Sequence, residues 1–226
     1  HECAAVRTVR NAVGSDTDIM VDAGMRLHVD LALRMSKVLE ECRVFWFEEP
    51  FRPDDLDSYV ALRERISVPI AAGENEFGAS GFRELIRAGA VDIIQCDVAR
   101  AGGISEANTV AKMATDAGLR VAPHTWNDAV AINANAQIVA AYDGITVEMD
   151  QTGNPFIEAL VEPRLAMDDG SIELSPDSGL GLGLQESLLE RYQLPNPPDV
   201  PGGRYSDMVF GGAAFYTPAG PYSEIQ

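Results

Sequence analysis

Six side chains able to bind a cation or move a proton recur at nearly even intervals: Asp22, Glu48, Glu74, Asp97, His124 and Glu148. The steps between them are 26, 26, 23, 27 and 24 residues. The first three are carboxylates, and bare carboxylates gathered at one point oppose each other's ionisation. A hard divalent cation removes that conflict. An all-oxygen donor set with positions left open for water or an anionic substrate suits Mg²⁺. Asp97 and His124 follow, and a carboxylate that holds one imidazole nitrogen fixes the tautomer, raises the histidine pKa and frees the other nitrogen for proton transfer. Glu148 ends the series. Shielded from water, its carboxyl would stay protonated and donate to a substrate oxygen. Any one of these acids alone is more simply a helix N-cap or a solvated group, but three in phase on successive repeats are not easily met by accident.

Each of the six lies at the end of a short apolar run and just before a helical stretch. The runs are DIMVDA (18–23), VFWFEEP (44–50), PIAAGE (69–74), DIIQCD (92–97), RVAPH (120–124) and ITVEMD (145–150). They are apolar on both faces, as parallel strands covered on two sides must be. Between them, Leu31, Met35, Val38 and Leu39 mark one face of a helix, and SGFRELIRAGA and ISEANTVAKMATDAG show similar spacing. Gly89 and Gly118 stand where helix C-caps are expected. A strand-plus-helix period of about 25 residues is that of a parallel βα barrel, whose reactive groups sit at the C-terminal ends of the strands.

The fold class expected is therefore α/β, an incomplete TIM-like (β/α)7β barrel. A complete eight-stranded barrel takes roughly 250 residues, and six units account for residues 18 to about 165. The leading segment HECAAVRTVRNAVGSD reads as a helix ending at Gly14. The barrel is thus expected to be entered at its third strand, with strands 3 to 8 present and the first two absent. Residues 1–165 should form the partial barrel with its metal and acid/base site. Residues 166–226 should form a hairpin, from DDGSIELSPDSGLGLGLQ, and then an irregular tail rich in Pro, Gly and aromatics.

The formal charge of −18, from 35 acidic against 17 basic side chains, repels phosphate backbones and anionic lipid, which argues against nucleic-acid and membrane-surface partners. Cys3, Cys42 and Cys96 are odd in number and far apart, so neither a disulfide framework nor a zinc site is supported. No apolar run approaches the roughly 18 residues of a membrane span, and no signal-peptide pattern opens the chain. A cytoplasmic location is the default expectation.

The phrases IMVDA, FWFEEP, AAGE, DIIQCDVARAGGISEA, VAPHTW and TVEMD resemble the enolase superfamily, and within it the mandelate racemase branch. The muconate-lactonizing branch has a lysine on the strand that here carries Asp97. The resemblance implies that Asp22, Glu48 and Glu74 bind Mg²⁺, that Asp97 and His124 form a proton-transfer dyad, and that Glu148 hydrogen-bonds a substrate carboxylate. Arg100, Trp126 and Asp150 are further candidates for substrate contact. The stretch VEMDQTGNPFIEALVEPRLAMDDGSIELSPDSGLGLGL looks like the end of the acid-sugar members, especially cycloisomerases of galactarolactone or 3,6-anhydrogalactonate.

Departures from the pattern are as informative. The family's Lys-x-Lys motif precedes the strand bearing Asp22, and its N-terminal capping domain closes over the substrate; both are expected to be absent here. The two lysines present, Lys37 and Lys112, fall in expected helices, and arginine, as at Arg100, is a poor base. Gly24 stands where the family usually has Asn. The expected function is the catalytic portion of a Mg²⁺-dependent enzyme that abstracts the proton α to the carboxylate of a sugar acid or its lactone, then eliminates a β-substituent or opens a ring. The alternatives are a 2-hydroxy-acid racemase or epimerase, and a catalytically silent barrel fragment. The resemblance further implies a homo-oligomer for a full-length parent.

Overall fold

The computed structural model describes residues 2–142 and 144–193. Helix α1 (Glu2–Val13) stops at Gly14, whose φ of 78° suits a residue without a Cβ. Strands and helices then alternate: β1 (Met20–Asp22), α2 (Val29–Glu41), β2 (Trp46–Glu48), α3 (Leu56–Arg63), β3 (Ile70–Ala72), α4 (Gly78–Ala88), β4 (Ile93–Ile94), α5 (Val98–Ala101), α6 (Ile104–Asp116), β5 (Arg120–Val121) and α7 (Ala129–Ala141). All neighbouring strands are parallel, in the sheet order β1-β2-β3-β4-β5. Strands laid down in strict sequence, each followed by a helix, give the winding of a βα barrel rather than that of a sheet whose strand order reverses.

The local reasons for these elements are visible in their ends. Asp55, Asp97 and Asp128 cap α3, α5 and α7 through side-chain oxygens that accept from the first backbone N–H groups, relieving donors that no helical partner reaches. His28 does the same for α2, with Nδ1 accepting from Leu31 N. Gly89 closes α4 in the left-handed conformation. Alternation along the strands separates two packing layers. Phe47, Ile70, Ile94 and Val121 join Leu39, Leu62, Phe82 and Val110 in the main core beneath the helices, while Trp46, Ala71, Ile93 and Ala122 form a small cluster on the opposite face.

The sixth expected strand is a correction. Residues 145–150 carry no assigned strand, so the parallel sheet of the described residues has five strands instead of six. The segment begins to pair, with Ile145 N donating to Val121 O at 2.9 Å. Beyond that the N–H of Thr125 turns to the side chain of Glu148, so the ladder does not continue.

After α7 come α8 (Pro155–Glu158), β6 (Val161–Glu162), β7 (Met167–Asp168), β8 (Ser171–Ile172), β9 (Gly183–Leu184) and α9 (Glu186–Tyr192). The expected hairpin is β7–β8, turning through Asp169 and Gly170 at positive φ, the Asp-Gly signature of a tight two-residue turn. β6 pairs with β9 antiparallel. The chain divides into one unit to Arg191 and a second from Tyr192; the Pro/Gly/aromatic tail from residue 194 lies outside the described residues. No helix among the described residues is long and apolar enough to cross a membrane.

Candidate active site

Asp22 and Glu48 end β1 and β2 as register partners across the sheet. Glu74 follows β3 by two residues, beyond Gly73, and Asp97 and His124 each follow the next strands by three. The C-terminal edge of the sheet thus presents these five groups in order. Asp22 Oδ1 accepts from Gly24 N at 2.7 Å, and Glu48 Oε2 accepts from Trp46 Nε1 at 2.8 Å. Burial pushes Glu48 up to about 7, helped by the charges of Asp22 and Glu74 and opposed by hydrogen bonds from Gln95 and Trp46. Glu74 is raised as well, by burial first and Asp22 besides, against the lowering pull of His124 and Arg100.

The dyad is formed. His124 Nδ1 lies 3.0 Å from Asp97 Oδ2, with both side chains buried. Asp97 also accepts from Asn127 Nδ2, Asn135 Nδ2 and Ala99 N. Burial alone would raise its pKa; the bonds from His124, Ala99 and Asn135 outweigh that and hold it below the usual carboxylate range. A committed carboxylate orients the imidazole without taking its proton. Burial depresses His124, but Asp97 and the charges of Glu74 and Glu148 together leave its pKa raised. Its other nitrogen, Nε2, stands 3.3 Å from Glu74 Oε2.

Glu148 reaches the same neighbourhood, with Oε2 accepting from Thr125 N at 2.5 Å. The shielding expected around it is not found: the side chain is exposed. It lines a cavity of about 290 Å³ together with Glu48, Gln95, Trp46 and Ala122. Arg100 is bound inward, its Nη1 3.1 Å from Glu74 Oε1 and 3.2 Å from Glu74 O. Trp126 is 66% exposed beside the dyad strand. Asp150 is engaged locally, accepting from Thr152 N and Oγ1 to hold a turn. Of the two lysines, Lys112 pairs with Asp116 on the exposed face of α6, and Lys37 lies on the exposed face of α2.

Several supporting residues escape a reading of strand ends alone. Asn75 donates to buried Glu49 at 2.6 Å and contacts Glu74 and Arg100. Glu49 is pushed up to about 8, by burial and then by Glu74. Gln95 has its Oε1 buried without a hydrogen-bond partner among the described residues. Asn135 sits in a mostly apolar helix whose other polar residues are Asn133, bonded back to Ala129 O, and Gln137. Asn in an apolar helix was the available signal, since a buried amide must find partners.

Among the described residues no group of three or more acidic, His or Cys side chains is drawn together closely enough to hold a metal ion. Glu74 is instead engaged by His124 and Arg100. The donor chemistry nevertheless fits a hard cation. Asp22, Glu48 and Glu74 offer oxygen only; burial raises Glu48 and Glu74 first, and the charge of Asp22 raises both further.

A sequentially wound parallel sheet, with acidic side chains at three successive strand ends and an Asp–His pair after them, defines a domain of the βα-barrel class. The chain belongs to the family described as Enolase C-terminal domain-like, which matches residues 1–188. It is 34% identical to the D-galactarolactone cycloisomerase of Agrobacterium fabrum over 85% of this chain and 53% of that protein. With the arabinonate dehydratase of Saccharolobus solfataricus it shares 32% identity, over 83% of this chain and 50% of the relative. The chain therefore spans about half the length of these curated relatives. Among solved structures, the 3,6-anhydro-D-galactonate cycloisomerase of Zobellia galactanivorans matches at 32% identity and a TM-score of 0.81, over 84% of this chain and 54% of that one. The L-talarate dehydratase of Polaromonas sp. JS666, complexed with Mg and L-glucarate, matches at 31% identity and a TM-score of 0.75, over 84% and 51%.

Proposed function

We propose that this chain is the catalytic barrel portion of a Mg²⁺-dependent lyase or isomerase that takes the proton α to the carboxylate of a sugar acid or its lactone. The observation that carries this reading is the buried Asp97–His124 pair, placed beside Glu74 at the edge where Asp22 and Glu48 also end. The relatives named above as cycloisomerases and dehydratases of sugar acids support the substrate class.

Such a proton is only weakly acidic, because its removal places a second negative charge on the substrate carboxylate. Asp22, Glu48 and Glu74 would hold the cation, which supplies the positive charge that offsets it. His124 Nε2 accepts the proton, while Asp97 holds Nδ1. The electron pair left on the α-carbon forms the enediolate and then the carbon–carbon double bond as the β C–O bond breaks. The imidazolium returns its proton to the departing oxygen, and the enol product tautomerises to a 2-oxo acid. Exposed Glu148, at the cavity that Glu48 also lines, accepts from substrate hydroxyl groups, and Arg100 holds Glu74 through Oε1 and the backbone oxygen. Elimination or ring opening needs one base at this edge, whereas racemisation uses one base on each face.

The test is to measure turnover of a panel of sugar acids and their lactones by the full-length protein, with and without Mg²⁺. His124→Asn should lower kcat by roughly 10²- to 10⁴-fold, the contribution of a positioned general base. Turnover of every active sugar acid left intact by that substitution would exclude the dyad assignment.

A further inference from the structure

The proton-transfer pair depends on which nitrogen of His124 carries hydrogen, and that in turn depends on how rigidly Asp97 is held. Each Asp97 oxygen receives two donors. Oδ1 accepts from Ala99 N at 2.9 Å and Asn135 Nδ2 at 3.1 Å; Oδ2 accepts from Asn127 Nδ2 at 2.8 Å and meets His124 Nδ1 at 3.0 Å. The two amides come from different places. Asn127 lies on the loop after β5, half-buried, while Asn135 is fully buried on α7.

Asn135 does more than donate once. Its Nδ2 also bonds His124 O at 3.0 Å, and its Oδ1 accepts from Val98 N at 2.9 Å. One side chain therefore ties the end of β4, the start of α5 and the end of β5 to a single point on α7. A buried amide with both ends engaged has little freedom to rotate, because any other rotamer strands polar atoms away from water.

We propose that Asn127 and Asn135 are positioning residues that bracket the Asp97 carboxylate, one on each oxygen, so that it holds His124 with hydrogen on Nδ1 and Nε2 presented for proton transfer. The inference rests on the reading of His124 as the base. The bond to Asp97, together with those to His124 O and Val98 N, accounts for a fully buried amide on this helix. Without the amides, Oδ1 would keep only Ala99 N, and Oδ2 would keep only His124 Nδ1 and the more distant Arg100 Nε at 3.9 Å, so the carboxylate would be held largely by the ring it has to orient. The imidazole then loses a fixed partner and its two neutral tautomers mix.

The first arm of the test uses the 226-residue chain and needs no turnover. With only three histidines, His1, His28 and His124, the ring nitrogens can be assigned by ¹⁵N–¹H correlation spectroscopy. The unsubstituted chain should show a sharp, slowly exchanging Nδ1–H resonance for His124. Asn135→Asp is nearly isosteric and keeps the acceptor for Val98 N but removes the donor; it should broaden or abolish that resonance. Asn127→Ala, on a half-buried loop, should do the same and keeps the test decisive if the buried variant fails to fold. A folded Asn127→Ala chain with the His124 resonance unchanged overturns the proposal.

The second arm measures the full-length enzyme. Each variant should lose roughly 10- to 100-fold in kcat with KM nearly unmoved, the scale on which outer partners of an active-site imidazole act. If the resonance changes while turnover does not, the bracket stands and the role of His124 as base falls. If the resonance is unchanged, the bracket falls whatever the kinetics.

Discussion

At the scale of single residues, the site gathers negative charge that the described chain does not fully offset. Glu48 and Glu49 are pushed up to about 7 and about 8, chiefly by burial. A carboxyl whose folded pKa exceeds its ordinary value binds its proton more tightly in the folded state. Its contribution to stability is present at the acid end and is lost as pH rises from the ordinary carboxylate range through the folded value. His124, also raised, acts with the same sign as pH rises through its folded value. Asp97, held low, loses its contribution only as pH falls below the ordinary carboxylate range. Stability of the metal-free chain should therefore decline between about pH 5 and pH 8, where Glu48 and Glu49 give up their protons. Glu49→Gln keeps an acceptor for Asn75 and removes one of the two ionisations. It should raise stability at pH 8 by on the order of 3 kcal/mol and flatten the decline, read by urea denaturation at the two pH values. An unchanged slope would show that Glu49 ionises freely in the folded chain.

At the scale of elements, the close approach that seats Glu74 is made by Gly73. Its φ is 133°, and a Cβ placed there would lie 2.7 Å from Cε1 of Phe82, a fully buried ring on α4. Gly73→Ala forces the ring and the end of β3 apart, combining overpacking with backbone strain, and should cost about 2–4 kcal/mol in urea denaturation. A cost below about 1 kcal/mol would mean that Phe82 can move aside. The five strands, the helix ending at Gly14, the cap at Gly89 and the hairpin were all legible because each rests on a local signal: apolar runs, helical spacing, a residue free to take positive φ. The run at 145–150 has the same composition as the others, yet it makes only one ladder bond, because strand formation also needs a paired neighbour along its length and composition cannot report that. The strand-end acids and the histidine were legible by their period. The amides were not, since Asn127 and Asn135 follow no period and take their meaning from contacts across 30 and 38 residues of chain.

At the scale of the whole molecule, a formal charge of −18 makes any added salt stabilising to some degree, by screening self-repulsion over about 10 Å at 0.1 M ionic strength. That general effect must be separated from binding at the sheet edge. The separation is possible because screening depends on ionic strength, while a bound cation stabilises by mass action, about 2.7 kcal/mol when its concentration is 100 times its Kd. MgCl2 should therefore raise the melting temperature of the chain more than NaCl at matched ionic strength. The excess should grow from pH 6 to pH 8, as Glu48, raised to about 7, becomes available as an anion. Glu74→Gln should remove most of the excess while leaving the NaCl response in place, because it deletes one donor and only one charge of the total. Glu74 now lies 3.1 Å from Arg100 and 3.3 Å from His124, so the cation must compete with both, and the affinity measured reports the cost of releasing that carboxylate. Equal shifts from the two salts, at both pH values and in both proteins, would mean that these carboxylates answer only to screening and that the chain by itself assembles no site for magnesium.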